Sequence, residues 1–276
     1  MGSGLAEWLH AEAPERRVYE RPPLELALCQ VRFNTRFGLD DQQVGPFQAA
    51  LEDDYPNAVR QDEVASIQIE SGSGQPSSRQ LQHTQWSFGD SSGDWTVTLT
   101  HDFVALETRR YEEFGDFLDR LRRVLDALGE TIAPRVARRV GLRYIDEIAS
   151  PRRAWAEIIT RPLLGVLDLE SFRANCEQSV QMLSLRSGPA RVNLQHGAFP
   201  AGTTVEPRPG TPPRSEPFYL LDVDVYEAFD PPQTLAMNPE VISERVNAYH
   251  AIISDLFRWA TTDTYRASLG VRTNGR

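Results

Sequence analysis

The chain has 276 residues, enough for one large domain or two small ones, with 40% hydrophobic and 25% charged residues. Its formal net charge of −10 argues against non-specific binding to nucleic acid or acidic membranes, because neutralising phosphates takes an excess of cations. All 29 basic residues are arginine, which excludes Schiff-base and P-loop chemistry that depends on lysine.

The first residues, 1–21, are polar and charged and read as an irregular N-terminal arm. Pro22-Pro23 punctuates the start of Leu24–Phe33, a run apolar enough for a central strand. Cys29 lies in it; Cys176 is the other cysteine, and both are expected to be reduced and buried. Asp40 or Asp41 can cap a helix carrying Val44, Phe47 and Leu51, stopped by Pro56. Ile67 and Ile69 mark a short strand, and the Gly/Ser-rich stretch 71–78 is a loop. The segments 81–88 and 95–107 flank Gly89-Asp-Ser-Ser-Gly-Asp94, a hairpin turn by composition. Trp95, Val97, Leu99, His101 and Phe103 alternate with threonines and Asp102, so 95–107 reads as one long strand with a single buried face. A helix opens at Tyr111, repeats its apolar residues at three and four, and has Gly129 placed as C-cap.

The central strand is 138–148. Charge enters it at Arg143, Asp146 and Glu147, and buried charge needs partners. Beyond it, Trp155, Ile158 and Ile159 suggest a short helix broken by Pro162. Residues 179–187 and 191–199 form a hairpin about Gly188-Pro189, and the Pro-rich loop 200–217 is expected to be loosely packed. Phe218–Tyr226 is a strand, and a final helix starts near Pro239 and runs to 269.

The order strand–helix–strands–helix thus occurs twice, over 22–130 and 135–270. An α+β fold follows: doubled β-α-β-β-β-α units in one antiparallel sheet, with long helices on one face. That is the arrangement of TATA-box-binding-protein-like and helix-grip folds. A single domain over 22–270 is expected.

Asp222 and Asp224 are two apart on one strand, so their carboxylates share a side; with Arg143 and Asp146 they make a candidate polar centre. Such a pair suits a divalent cation or acid–base work, but equally suits ion pairs with Arg143 and Arg186 on neighbouring strands. His83, His101 and His196 fall in expected strands and would form a metal or proton-transfer site if they shared a face; their leucine neighbours favour half-buried structural histidines. No metal-ligand spacing and no HExxH, CxxC, GxSxG, P-loop or GxGxxG pattern occurs, and no cofactor is implied. The arginines at 109, 110, 120, 122 and 123 are interleaved with Asp and Glu, the pattern of a solvated face.

Three stretches, Pro23–Phe33, Gly141-Leu-Arg-Tyr-Ile-Asp-Glu-Ile148, and Leu220-Leu-Asp-Val-Asp-Val-Tyr226 before a long C-terminal helix, resemble a sporadically distributed bacterial family of uncharacterised proteins. The resemblance implies a bacterial origin and genes that travel in mobile cassettes; it carries no activity or catalytic residue. The expected function is non-catalytic: a binding or accessory protein acting on a protein or peptide partner. The alternatives are a metal- or small-ligand-dependent enzyme using Asp222, Asp224 and a strand histidine, and nucleic-acid binding. No apolar run spans a membrane and no signal-peptide pattern opens the chain, so a cytoplasmic location without membrane contact is expected.

Overall fold

The computed structural model describes residues 18–70, 76–149, 155–205 and 212–271, with Leu5, Glu7 and Leu9; for 63–70 and 76–83 the description is of the backbone. These residues form an α+β protein built on a ten-stranded antiparallel sheet. In chain order the elements are β1 (Leu24–Phe33), α1 (Asp41–Leu51), β2 (Asn57–Glu70), β3 (Pro76–Gly89), β4 (Trp95–Thr100), β5 (Phe103–Thr108), α2 (Phe114–Thr131) and β6 (Val136–Ala149). There follow α3 (Arg161–Leu164), α4 (Glu170–Asn175), β7 (Gln181–Ser187), β8 (Ala190–Phe199), β9 (Phe218–Ala228), β10 (Leu235–Ala236), α5 (Pro239–Ala260) and α6 (Asp263–Ser268). Strands run β2-β3-β4-β5-β1-β6-β9-β8-β7 across the sheet, and β10 adds to β6.

Strands β1 and β6 pair at the middle of the sheet. Alternation divides their side chains. Ala27, Cys29 and Val31 of β1, with Val140, Leu142 and Tyr144 of β6, enter the main core beneath the helices. On that face α2 contributes Phe117, Leu121, Val124 and Leu128, and α5 contributes Ile242, Val246, Tyr249 and Ile253. Each such side chain stabilises the fold by about 1.5–3 kcal/mol through burial.

The opposite face has no helix over it among the described residues. At one end of it Leu26, Ile145, Phe199, Phe218 and Leu220 form a second, small cluster. The flanks of the 200–217 loop cover this cluster rather than hanging loosely. Gly202 N donates to the Arg214 carbonyl at 2.7 Å and Arg214 N to that of Thr203 at 3.1 Å. The Arg214 guanidinium then clamps Glu25 and Glu147, and Val205 packs on the cluster.

Several expected boundaries shift for local reasons. The strand at Ile67 and Ile69 extends over Asn57–Glu70 because β3 pairs with its whole length. Of the expected 71–78 loop, residues 76–78 belong to β3 and 71–75 lie outside the described residues. The single strand expected over 95–107 reverses at His101-Asp102. There the Thr100 hydroxyl accepts from the amides of Asp102 and Phe103, replacing the glycine a tight turn usually shows.

Helix α2 starts at Phe114, not Tyr111, and passes through Gly129. The left-handed position falls on Ala133 (φ 51°), whose amide donates to the Leu128 carbonyl before Pro134 ends the turn. Pro162 does not break a helix; it sits in the first turn of α3, where its missing amide costs nothing. The C-terminal helix is two helices, because Thr261 leaves the helical backbone and Thr262 caps α6. Leu9 is buried in the main core and Tyr19 bridges to Val271, so the described part of the N-terminal arm is docked. Cys29 is buried, which pushes its thiol up to about 12, but Cys176 is exposed beyond α4.

Candidate functional site

The charged residues of β6 and β9 divide between the two faces of the sheet. Arg143 pairs across strands with Asp224 in backbone register, yet its side chain reaches diagonally to Asp222. Its Nε donates to Oδ1 at 2.8 Å and its Nη2 to Oδ2 at 2.7 Å, the two-point fork that suits a guanidinium to a carboxylate. Asp224 is taken by Arg139, whose Nη2 donates to Oδ2 at 2.7 Å, and not by Arg186. The Arg139 guanidinium lies 4.3 Å from the Tyr226 ring centre, stacked over it. It also passes over Gly141, where an added Cβ would sit 2.6 Å from Nη1; glycine makes the room for this layer. Burial pushes the Asp224 carboxyl up, and Arg139 beside it works in the opposite direction. The centre is therefore two arginine–aspartate pairs on the helix-free face, with each carboxylate satisfied by a cation from the chain itself.

Asp146 is not part of this centre. Even-numbered positions of β6 face the helices, so Asp146 points the other way, beside Tyr144 rather than Arg143. It is only 5% exposed and forms no hydrogen bond or ion pair among the described residues. Burial, reinforced by Glu25 and Asp222, pushes its carboxyl up to about 8. A carboxyl raised above its unfolded value of about 4 keeps its proton longer in the folded state. Its contribution to stability therefore falls as pH rises from about 4 through 8.

Asp146 lines a pocket of about 210 Å³ walled by Tyr19, Leu24, Tyr111, Phe114, Tyr144 and Phe257. Tyr144 Oη lies 3.1 Å from Tyr111 Oη and 3.1 Å from His250 Nδ1. The His250 ring stacks on Phe114 at 3.9 Å, almost parallel. Sequence reasoning missed His250, Tyr111 and Tyr144 as a group, because they come from α5, the segment before α2 and β6. The available signal was a histidine beside Tyr249 on the buried stripe of the last helix.

The three strand histidines do not converge. His196 is buried on the helix face, with Nδ1 2.8 Å from Tyr219 Oη, and burial lowers its pKa. His101 sits in the β4–β5 turn against Trp86. His83 is in β3, at the other end of the sheet from His196; its side chain lies outside the described residues. Among the described residues no group of three or more His, Cys, Asp or Glu is placed to hold a metal ion, and no helix is long and apolar enough to cross a membrane.

Two basic residues of α2 pair within the helix, as their spacing implied, Arg120 with Asp116 and Arg122 with Asp119; Arg123 pairs with Asp54, beyond α1. A different pair stands out at the sheet edge. Arg186 of β7 and Arg191 of β8 face each other directly across strands, both exposed, with no acidic partner among the described residues. Like charges so placed repel, by a few tenths of a kcal/mol up to about 1 kcal/mol. Along the same strand Met182 is 77% exposed and Leu183 41%, and α4 nearby in sequence exposes Phe172. Strand β7 is the terminal strand of the sheet, with β8 its one partner among the described residues.

No protein-family model matches the chain, and no curated protein matches it.

Proposed function

We propose that the protein is a non-catalytic binding protein whose partner is an extended, acidic and apolar segment of another protein, added as a strand to β7. The observation that carries this reading is the exposed edge itself: Met182 and Leu183 in the open beside the facing Arg186 and Arg191. Unpaired edges are normally blunted by charge, proline or cover, because their free amides and carbonyls invite another chain. Here the apolar residues supply contact area, and the two arginines supply a preference for carboxylates. The same arginines oppose pairing of β7 with a second copy of itself, since that would add like charge to like.

The arginine–aspartate pairs weigh against a metal-dependent enzyme at Asp222 and Asp224, because each carboxylate already has a cationic partner. Outward from β1 and β6, the sheet passes next to β5 on one side and β9 on the other, each the last strand of more than two residues in its half. That order supports a doubled unit forming one domain, of the TATA-box-binding-protein-like or helix-grip kind. A place in the resembled bacterial family, and a partner encoded beside it in a mobile cassette, fit this reading.

The test is fluorescence anisotropy with a labelled short peptide alternating valine and glutamate. Parent protein is expected to bind it, and a copy N-methylated at alternate amides is expected to bind at least tenfold more weakly, having lost the ladder. The double change Arg186→Glu, Arg191→Glu is expected to reverse preference toward a second labelled peptide in which lysine replaces each glutamate. Equal binding of both peptides by parent and variant, or no binding by the parent, would refute the proposal.

A further inference from the structure

On the other side of the sheet, the pocket around Asp146 stands apart from the β7 edge and from the arginine–aspartate pairs. We infer that it is a binding site for a small organic ammonium ion, with Asp146 as counter-ion and the aromatic wall enclosing the apolar body. The inference rests on the geometry of the pocket: Asp146, a residue only 5% exposed, lines a cavity walled by aromatic rings, and no hydrogen bond or ion pair ties its carboxyl to another described residue. Buried carboxyl groups ordinarily have hydrogen bonds or a cation, since leaving one bare costs free energy. Arg258 lines the same pocket, but its guanidinium goes to Asp255 instead of Asp146. The chain thus has a cation within the pocket wall and does not use it on Asp146.

The walls suit the ligand's other half. Tyr19, Tyr111, Phe114, Tyr144 and Phe257 present aromatic rings, the surfaces that attract an ammonium group or its attached carbons. Exposed Glu112 and Glu113 stand at the mouth, where negative charge draws cations inward. The volume of about 210 Å³ is below the roughly 300–1,000 Å³ of sites for drug-sized ligands, so the ligand is small.

The charged and titratable groups around Asp146, on both sides of the sheet, fix the expected pH dependence. Glu25 from β1 and Asp222 from β9 oppose its ionisation. Tyr144 adjoins it on β6, His250, Asp255 and Arg258 come from α5, and Tyr111, Glu112 and Glu113 precede α2. Without a ligand the carboxyl is mostly protonated at neutral pH; an entering ammonium takes the place of that proton, which passes to solvent. The ammonium keeps its charge throughout this range, so affinity rises with pH until Asp146 is ionised, near 8.

The test is calorimetric titration of the whole protein with benzylamine and with benzyl alcohol, its uncharged analogue. Benzylamine is expected to bind at least tenfold more tightly than the alcohol and to release protons at pH 7, read from buffers of different ionisation heat. Its affinity should fall about tenfold per pH unit once pH is well below 8. Asp146→Asn keeps the shape and removes the charge; it should lose at least tenfold in benzylamine affinity, bind the alcohol like the parent, and lose the pH dependence. That variant separates the share of Asp146 from that of His250. Equal binding of amine and alcohol, unchanged amine binding in Asp146→Asn, or no binding of the amine by the parent would overturn the inference.

Discussion

Arg143→Ala should destabilise the protein by about 2–4 kcal/mol, the range for leaving one member of a largely buried pair alone. The arginine side chain is 32% exposed, so its own desolvation is incomplete; the loss comes mainly from Asp222, whose side chain is 8% exposed. Without the fork, Asp222 would face Asp224 two positions along the same strand with one guanidinium, Arg139, to serve both. Asp222→Asn in the same chain should recover part of the loss, because it removes the stranded charge. Urea melts of the parent, the two single variants and the double variant supply the cycle. An Arg143→Ala variant melting like the parent would show that the pair contributes nothing.

Gly197→Ala should cost about 3 kcal/mol or more, although it adds a single methyl group. Gly197 lies in β8 where the chain before β7 crosses close: a Cβ would stand 1.8 Å from the Ser179 carbonyl oxygen and 2.7 Å from its carbon. Both are backbone atoms held in place by the Ser179 amide, which donates to the Ala198 carbonyl at 2.9 Å. No side-chain rotation relieves that contact; one strand must move. Gly129→Ala is the control with the opposite sign. It lies exposed inside α2 with open space at its Cβ, so alanine should stabilise by about 0.5–1 kcal/mol. Equal effects at the two glycines would contradict the close crossing at Gly197.

The contrast between these glycines marks how far the sequence could be read. Gly129 looked like a helix end because glycine often is one, and nothing local reveals that the stop is Ala133 followed by Pro134. Gly197 carries no local sign at all, because its reason is Ser179, in the segment that leads into β7. Period-two and period-three-to-four patterns did locate β1, β6, β9 and the helices that pack on them, since each depends on a buried stripe within one element. They missed the reversal at His101-Asp102, where a threonine hydroxyl does the work of a turn glycine. The site divided in the same way. Arg143 and Asp222 were legible as partners because both are charges in apolar strands. Arg139 was not, because its role depends on the space above Gly141 and the ring of Tyr226. Asp146 was grouped with the wrong face, although its place three residues after Arg143 in a strand puts the two on opposite sides. The Tyr111–Tyr144–His250 contact joins residues far apart in sequence and left no trace in any single stretch.

The central claim is that β7 is an open edge awaiting a strand from a partner, and amide hydrogen exchange of the free protein tests it most directly. Residues 181–187 alternate between amides bonded to β8 and amides directed outward, so exchange along this strand should alternate between slow and fast. Strands β6 and β9, paired on both sides, should instead be slow throughout. Adding the valine–glutamate peptide should slow the fast set in β7 and leave β6 unchanged. Uniformly slow exchange along β7 in the free protein would mean that the edge is already covered, and would contradict the account.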